Sequence, residues 1–577
     1  MSVEAAARRN RIFLASAFRV GALVVALSLV QGAHFTVFQL KDQDRPVLIG
    51  LVGLLVLLHF APPLRLRFTA WPGPRLLVAM LAAIALCLWG LTQALMRDFA
   101  LSYDEFMVLF DRQVFADGRL ATPFPPEWRD YTRNLVPTLL LNEYRPDALV
   151  SAYLPMNALL RLGFSQALPA SLMNPLLFLL GGVALLDIAR NQFGKDREAI
   201  LVVFLLYSLS MQAWTVAMTP YAMTAHLTFN LVWLAAFLRG GWWHAVAIAA
   251  GVVATGLHQL VFHPLFVAPF LLQRLLRGEW RLVAGYAAAY AVICAGWIAY
   301  PMLASGYAGG AVPSGSPAEF LRDRVWPLVA AGNSHTLMLM VMNVLRFFAW
   351  QHLALLPLLT LAVAAVRRDD GLTRPLMGGV LLALALIALL LPFQGHGWGY
   401  RYLHGWIGSC ALLGGFGYRE LRGIMKDKAA GAIALATLAT LTAMAWLAYR
   451  IDAFVAPHVA LERRLAAMDA DMVLIESESF TSTRDGRWAP NALDLVRNRP
   501  DLSNRPLRFS SQLMTPEMAA RLCRRGSIAL IDRTAQKQAG FSLTQPGPSR
   551  HLESLRAAIE AEARAGRCRL ADAPLNR

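Results

Sequence analysis

Two short stretches of this 577-residue chain carry side chains suited to polar chemistry. The first reads Ser102-Tyr103-Asp104-Glu105-Phe106, directly after an apolar run. Adjacent carboxylates at a membrane boundary are costly unless solvated, paired or used. A carboxylate near an acceptor hydroxyl can serve as general base, and an adjacent one could hold a divalent metal or fix the acceptor. Asp111 follows seven residues on, about two helical turns, and could share a face with Asp104. The plainer alternative is a pair of interfacial polar residues that end a helix.

The second stretch is His396-Gly397-Trp398-Gly399-Tyr400-Arg401-Tyr402-Leu403-His404. Arg offers a planar fork of donors that matches phosphate oxygens. Tyr400 and Tyr402 could stack on a sugar or line a lipid groove, with His396 and His404 beside them. A lone Arg could merely snorkel to headgroups, but this one arrives with two His, two Tyr and glycines. His258 and His263 form a third cluster, at a break between two short apolar segments. Broken helices at membrane depth are tolerated where they line a cavity. Spacing of five is not a helical metal pair, so a hydrogen-bonded core His stands against a site role. Arg346, Arg322 and Arg324 are further candidates for phosphate contact, with surface charge as the alternative.

The elements that must position these residues are set by composition. Hydrophobic residues make up 57% of the chain and charged ones 16%, with mean hydropathy +0.46. Soluble domains carry about 25% charged residues, so a soluble enzyme is excluded. Hydropathy places about thirteen spans, at 20–40, 47–62, 75–96, 169–190, 197–216, 222–239, 242–258, 263–276, 281–300, 350–366, 374–392, 403–420 and 429–450. A mainly α, polytopic membrane protein in contact with membrane lipids follows.

The net charge of +17 then has a topological reading. With a cytoplasmic N-terminus, the inner loops hold Arg8/Arg9/Arg11, Arg65/Arg67/Arg75, Arg190/Lys195/Arg197, Arg239, Arg274/Arg277/Arg281, Arg367/Arg368/Arg374 and Arg419/Arg422/Lys426/Lys428. Short outer loops carry little: Lys41 and Arg45 in the first, none over 217–221. That is the positive-inside bias, and it removes the motive for a nucleic-acid partner. The N-terminal segment reads as an uncleaved first span.

Three outer segments exceed simple turns: 97–168, 301–349 and everything after 451. The first mixes Trp128, Tyr131, Leu135, Leu139 and Tyr144 with charges and reads as amphipathic helices in the interface. The tail, 451–577, reads as a small α/β domain with strands at 471–475 and 527–531 and helices at 515–524 and 550–566. Cys87, Cys294 and Cys410 lie in apolar runs as small buried hydrophobes. Cys523 and Cys568 would face an oxidising compartment, either bridged or as free thiols.

The order Tyr-Asp-Glu-Phe, then Asp111 to Pro123 as D-R-Q-V-F-A-D-G-R-L-A-T-P, resembles the first outer loop of the GT-C glycosyltransferases. These are integral membrane enzymes that use polyprenyl-phosphate-linked sugars, among them protein mannosyltransferases and lipid A aminoarabinose transferases. Tyr153-Leu154-Pro155 before Asn174-Pro175, and the late Arg401-Tyr402-Leu403, are similar to the superfamily too. The likeness covers roughly 75–425. It implies a GT-C-like helical bundle, with 1–74 as two extra N-terminal spans and 75–450 as the catalytic membrane region. It implies Asp104 as general base, Glu105 in acceptor or metal binding, and Arg401 on the donor phosphate, helped by His258 or His263. The expected reaction is inverting transfer of a sugar from a polyprenyl-phosphate donor to a cell-envelope glycan, lipid or protein, on the periplasmic side of a bacterial inner membrane. The rival readings are a transporter or flippase of lipid-linked saccharides and a non-catalytic membrane scaffold.

Overall fold

A backbone crossing hydrocarbon must satisfy its polar groups within its own segment, so the apolar runs fold as helices. The structure, a computed structural model, describes residues 3–30, 35–60, 65, 72–135, 139–140, 148–307, 334–476, 495–541 and 547–571. The chain is a multi-pass membrane protein. Among the described residues six helices are long and apolar enough to cross a membrane, or seven counting one pair bent by 50°. They are Phe35–Phe60, Pro74–Ala94, Ala170–Phe193, Trp280–Gly306, Thr373–Leu390 and the long run Arg401–Ala466, with Arg197–Ser208 plus Met211–Ala217 as the bent pair. Shorter apolar helices, such as Trp243–Thr255 and Phe262–Leu276, fill the bundle.

The expected thirteen spans do not stand as drawn. The run at 20–40 is not one helix: α1 (Val3–Ser28) ends before it is complete, and α2 (Phe35–Gln39) belongs to the next element. From Phe35 the chain stays helical through a π-turn, Leu40–Asp44, into α3 (Arg45–Phe60). Lys41 and Arg45, expected in a first outer loop, lie instead within this helical run, and the acids beside them are paired by distant segments: Asp42 accepts from Arg450, and Asp44 from Arg346 and Trp350.

The first outer segment folds as α4's (Pro74–Ala94) sequel: α5 (Tyr103–Ala116), a 3-10 turn over Pro126–Tyr131, α6 (Thr132–Leu135) and α7 (Met156–Phe164). The apolar faces of α5 and α6 do not lie bare in the interface. Met107, Phe110, Val114, Tyr131 and Leu135 share one buried core with Met472, Leu474, Phe509, Leu522 and Leu555 of the tail. Tyr144 of that segment, and Arg322, Arg324 and most of the Gly/Pro-rich part of the second, lie outside the described residues.

In the tail, strands β1 (Met472–Ile475), β2 (Leu507–Ser510) and β3 (Ile528–Ile531) form a parallel sheet ordered β2-β1-β3. Helices Pro516–Cys523 and Arg550–Arg564 pack on it, and Cys523 and Cys568 are disulfide-bonded. The helix feeding the tail runs unbroken from Ala429 to Ala466, so residue 451 falls within a helix and not at a boundary.

The basic loops meet at one end. Arg419 and Arg422 pair with Asp196, Arg422 with Glu198 and Arg65 with Asp427.

Candidate active site

Asp104 is placed by the start of α5. Ser102 caps the helix: its hydroxyl accepts from the Glu105 N–H (3.3 Å), while the Ser102 N–H (2.6 Å) and hydroxyl (2.9 Å) donate to Glu105 Oε2. This reciprocal capping box satisfies helix-end donors and fixes the turn. One Glu105 oxygen, Oε2, is thus taken by the cap, and the side chain is buried. Asp104 lies in the same first turn, where the helix dipole favours a carboxylate.

Arg401 is placed by the loop after helix Thr373–Leu390. Its N–H donates to Gln394 Oε1 (2.9 Å), and Gln394 Nε2 donates to the Gly399 carbonyl (2.9 Å). Gly399 has φ +64°, and a Cβ there would meet Gln212 Oε1 at 2.5 Å. Gly397 lies so close that its Cβ would sit 3.0 Å from the Arg401 side chain. These glycines therefore shape the loop around the Arg. Its guanidinium lies over the rings of Tyr402 (5.2 Å) and Tyr221 (5.7 Å).

The two segments meet at Asp104. One carboxylate oxygen accepts from Arg401 Nη1, the other from the Tyr153 hydroxyl. Asp104, Asp111, Tyr153, Asn157, Tyr221 and His258 line one crevice. Burial pushes the Asp104 carboxyl up, but the Arg401 charge and the hydrogen bonds from Arg401 and Tyr153 outweigh it and hold it at about 2. Burial raises Asp111 to about 7, opposed only by a hydrogen bond from Ser151, and raises Glu105 to about 7 against the bonds from Ser102. One wall of the crevice thus carries an ionised carboxylate and another a carboxyl that titrates near neutrality. A hydrogen-bonded chain continues from Ser102 Oγ to Tyr221 Oη (2.7 Å) and on to the His396 carbonyl (3.3 Å).

The tail braces this helix start. Arg497 donates to the carbonyls of Ala100 and Leu101 (2.9 Å for Leu101) and packs over Phe99 (4.4 Å). Tyr103 donates to the Val496 carbonyl at 3.3 Å.

No protein-family model matches the chain, and no curated protein matches it. Two solved structures are similar: ArnT from Cupriavidus metallidurans in the apo state and the same protein bound to undecaprenyl phosphate. Each shares 15% identity over 71% of this chain and 83% or 84% of its own, with TM-scores of 0.44 and 0.46. Identity this low leaves function to the residues themselves.

Of the candidates from sequence, Asp104, Asp111, His258, Arg401 and Tyr402 come together. His258 packs against Tyr153 with the rings tilted by 54° and their centroids 4.7 Å apart. His396 borders the site through Tyr221, its ring held between Phe35 (5.6 Å) and Phe454 (5.5 Å). Others belong elsewhere. His263 is fully buried between Asn230 Oδ1 and the Tyr290 hydroxyl, each 2.7 Å away, because its side of the helix faces the bundle interior. Tyr400 is fully buried, with its hydroxyl 3.6 Å from the Met340 sulfur. His404 is fully buried too and does not line the crevice. Arg346 is neither a phosphate contact nor surface charge. It is fully buried and bonds Asp44 (2.8 Å), Gln39 and the Gly397 carbonyl (3.0 Å).

Sequence reasoning missed three contributors. Tyr153 stood in the quoted Tyr-Leu-Pro motif without a role. Tyr221 carried no signal in its short loop. The cap was legible, since Ser102 and Glu105 fit the S-x-x-E pattern. Among the described residues no three His, Cys, Asp or Glu side chains converge to hold a metal ion, and one of the two Glu105 oxygens, Oε2, is taken by Ser102.

Proposed function

We propose that this chain is a membrane glycosyltransferase of the GT-C type. It transfers a sugar from a polyprenyl-phosphate donor to a cell-envelope acceptor on the periplasmic face of a bacterial inner membrane. The observation that carries this reading is the contact between Asp104 and Arg401. These are the residues to which the resemblance gives the base and the phosphate contact, from motifs at opposite ends of the membrane region, and Arg401 pairs with the carboxylate that lines the crevice.

In the reaction the acceptor hydroxyl attacks the anomeric carbon from the face opposite the phosphate, and Asp104 takes its proton. The bond from that carbon to the phosphate oxygen breaks, configuration inverts, and the leaving phosphate gains negative charge. Arg401 stabilises that charge. With Arg401 and Tyr153 both on it, Asp104 is held near 2, too weak a base for a hydroxyl. A donor phosphate competes for the guanidinium fork. As Arg401 turns to the phosphate, the carboxylate loses its counter-ion and gains basicity, so the donor must bind before the acceptor.

The test is turnover of a pool of polyprenyl-phosphate sugars by the purified chain with envelope acceptors present. The reading expects free polyprenyl phosphate to form in step with sugar gained by the acceptor. Movement of intact lipid-linked saccharide across vesicles, with no donor cleaved, would establish the transporter instead.

A further inference from the structure

Arg161 is a buried cation with no counter-ion in contact. It sits on α7, four residues after the crevice-lining Asn157, so the two share a helix face. It is 4% exposed, and Nη1 donates to the Ala170 carbonyl at 2.8 Å. Nε and Nη2 are buried and have no hydrogen-bond partner among the described residues. No carboxylate among them forms an ion pair with it. A buried guanidinium left this way is strongly unfavourable.

The vacant edge is informative. Nε and Nη2 present two parallel N–H bonds, the arrangement that grips two oxygens of a phosphate or carboxylate. A second cation stands close by: Arg112 on the adjoining α5 is half-buried and acts electrostatically on Arg161. Among the described residues, the carboxylate that acts against them is the exposed Asp98, four residues beyond the end of α4. Two guanidinium groups against one carboxylate leave a net positive charge that an anion would balance. The surroundings say where it comes from. Segment 156–172 leads into the span Ala170–Phe193, and Leu159 and Leu168 are 40% and 44% exposed beside it. Apolar groups at the start of a span place the pair at headgroup level.

We propose that Arg161 and Arg112 bind the phosphoryl group of a phosphate-bearing amphiphile at the membrane surface, beside the crevice and separate from Arg401. The Nε–Nη2 edge of Arg161 takes two phosphate oxygens, and Arg112 closes over the outer side. The inference does not rest on the transferase reading, since its readout is binding.

The experiment uses the full chain in detergent, with dihexanoyl phosphatidic acid, inorganic phosphate and uncharged dihexanoylglycerol as probes, followed by calorimetric titration and thermal unfolding. Saturable binding of phosphatidic acid with a rise in Tm is expected, and none with dihexanoylglycerol. Arg161→Met and Arg112→Gln should each weaken it at least tenfold, whereas Arg569→Gln, on the surface of the tail, should leave it within twofold. Without ligand, Arg161→Met should unfold no lower than wild type, because a buried unpaired charge is gone. If inorganic phosphate binds with the same variant pattern, the phosphate group alone is the ligand; if only phosphatidic acid binds, it is the lipid headgroup. The proposal is overturned if neither probe binds saturably, or if Arg112→Gln binds as wild type does. Arg112→Gln changes a half-buried residue, so it decides the matter even if Arg161→Met does not fold.

Discussion

Arg401 and Asp104 lie 297 residues apart in the chain and share one hydrogen-bonded ion pair. Each is held by its own local device, Asp104 by the Ser102 cap and Arg401 by Gln394 and the glycine loop. The pair therefore ties the first outer segment to the entrance of a late span. The helix that follows Arg401 runs from Ile407 to Met425, which puts Arg422 and its acidic partners roughly 25 Å away at its other end. The bundle thus separates the Arg-rich end from the end that carries Asp104 and Arg401.

The tail acts on this site through Arg497, which fastens the two carbonyls just before the Ser102 cap. Arg497→Ala should lower kcat roughly ten- to hundredfold, as small displacements of a reacting group do, with little change in KM for the donor. Arg497→Lys, which keeps a donor, should recover part of that loss. Steady-state kinetics on the purified variants check it.

The Asp44–Arg346 pair is fully buried and carries Gly397, at the start of the Arg401 loop. Asp44→Ala leaves a buried charge alone and should destabilise the fold by about 3–5 kcal/mol. Replacing both residues together, Asp44→Leu with Arg346→Met, should recover most of that loss. Thermal unfolding in detergent reads both effects.

Asp111 and Glu105 share a sign in their response to pH. Burial lifts both to about 7 in the folded chain, so folding favours their protonated forms. Their contribution is complete below the ordinary carboxylate range near pH 4 and is lost as pH rises through 7. Tm should fall between pH 4.5 and 7.5, and Asp111→Asn should flatten that slope. A wild-type Tm that climbs across this window would contradict the burial of both groups.

Much of this was legible before folding. Long apolar runs gave helices because nothing else satisfies a backbone in lipid, and Asp104 and Arg401 stood out by residue type. Two of the tail strands fell within one residue of their expected starts, at 472 and 528. The third, Leu507–Ser510, was missed because Arg508 interrupts its apolar pattern; that Arg is buried against Glu462 at 2.7 Å. Asp44 was illegible for a related reason. Window hydropathy counts a charge as solvated, and its partner Arg346 is 302 residues away. The joint core of α5 and the tail was hidden as well, since an amphipathic face does not say whether lipid or protein will cover it.

The most direct test compares sugar transfer by wild type, Asp104→Asn and Arg401→Gln at saturating donor. The Asn side chain keeps the shape and the Tyr153 contact but cannot take a proton, so kcat should fall by about 10²–10⁴. Arg401→Gln should lose roughly 10²–10³, with both proteins folded as wild type. Transfer by Asp104→Asn at the wild-type rate would contradict the assignment of the base and, with it, the account of the crevice.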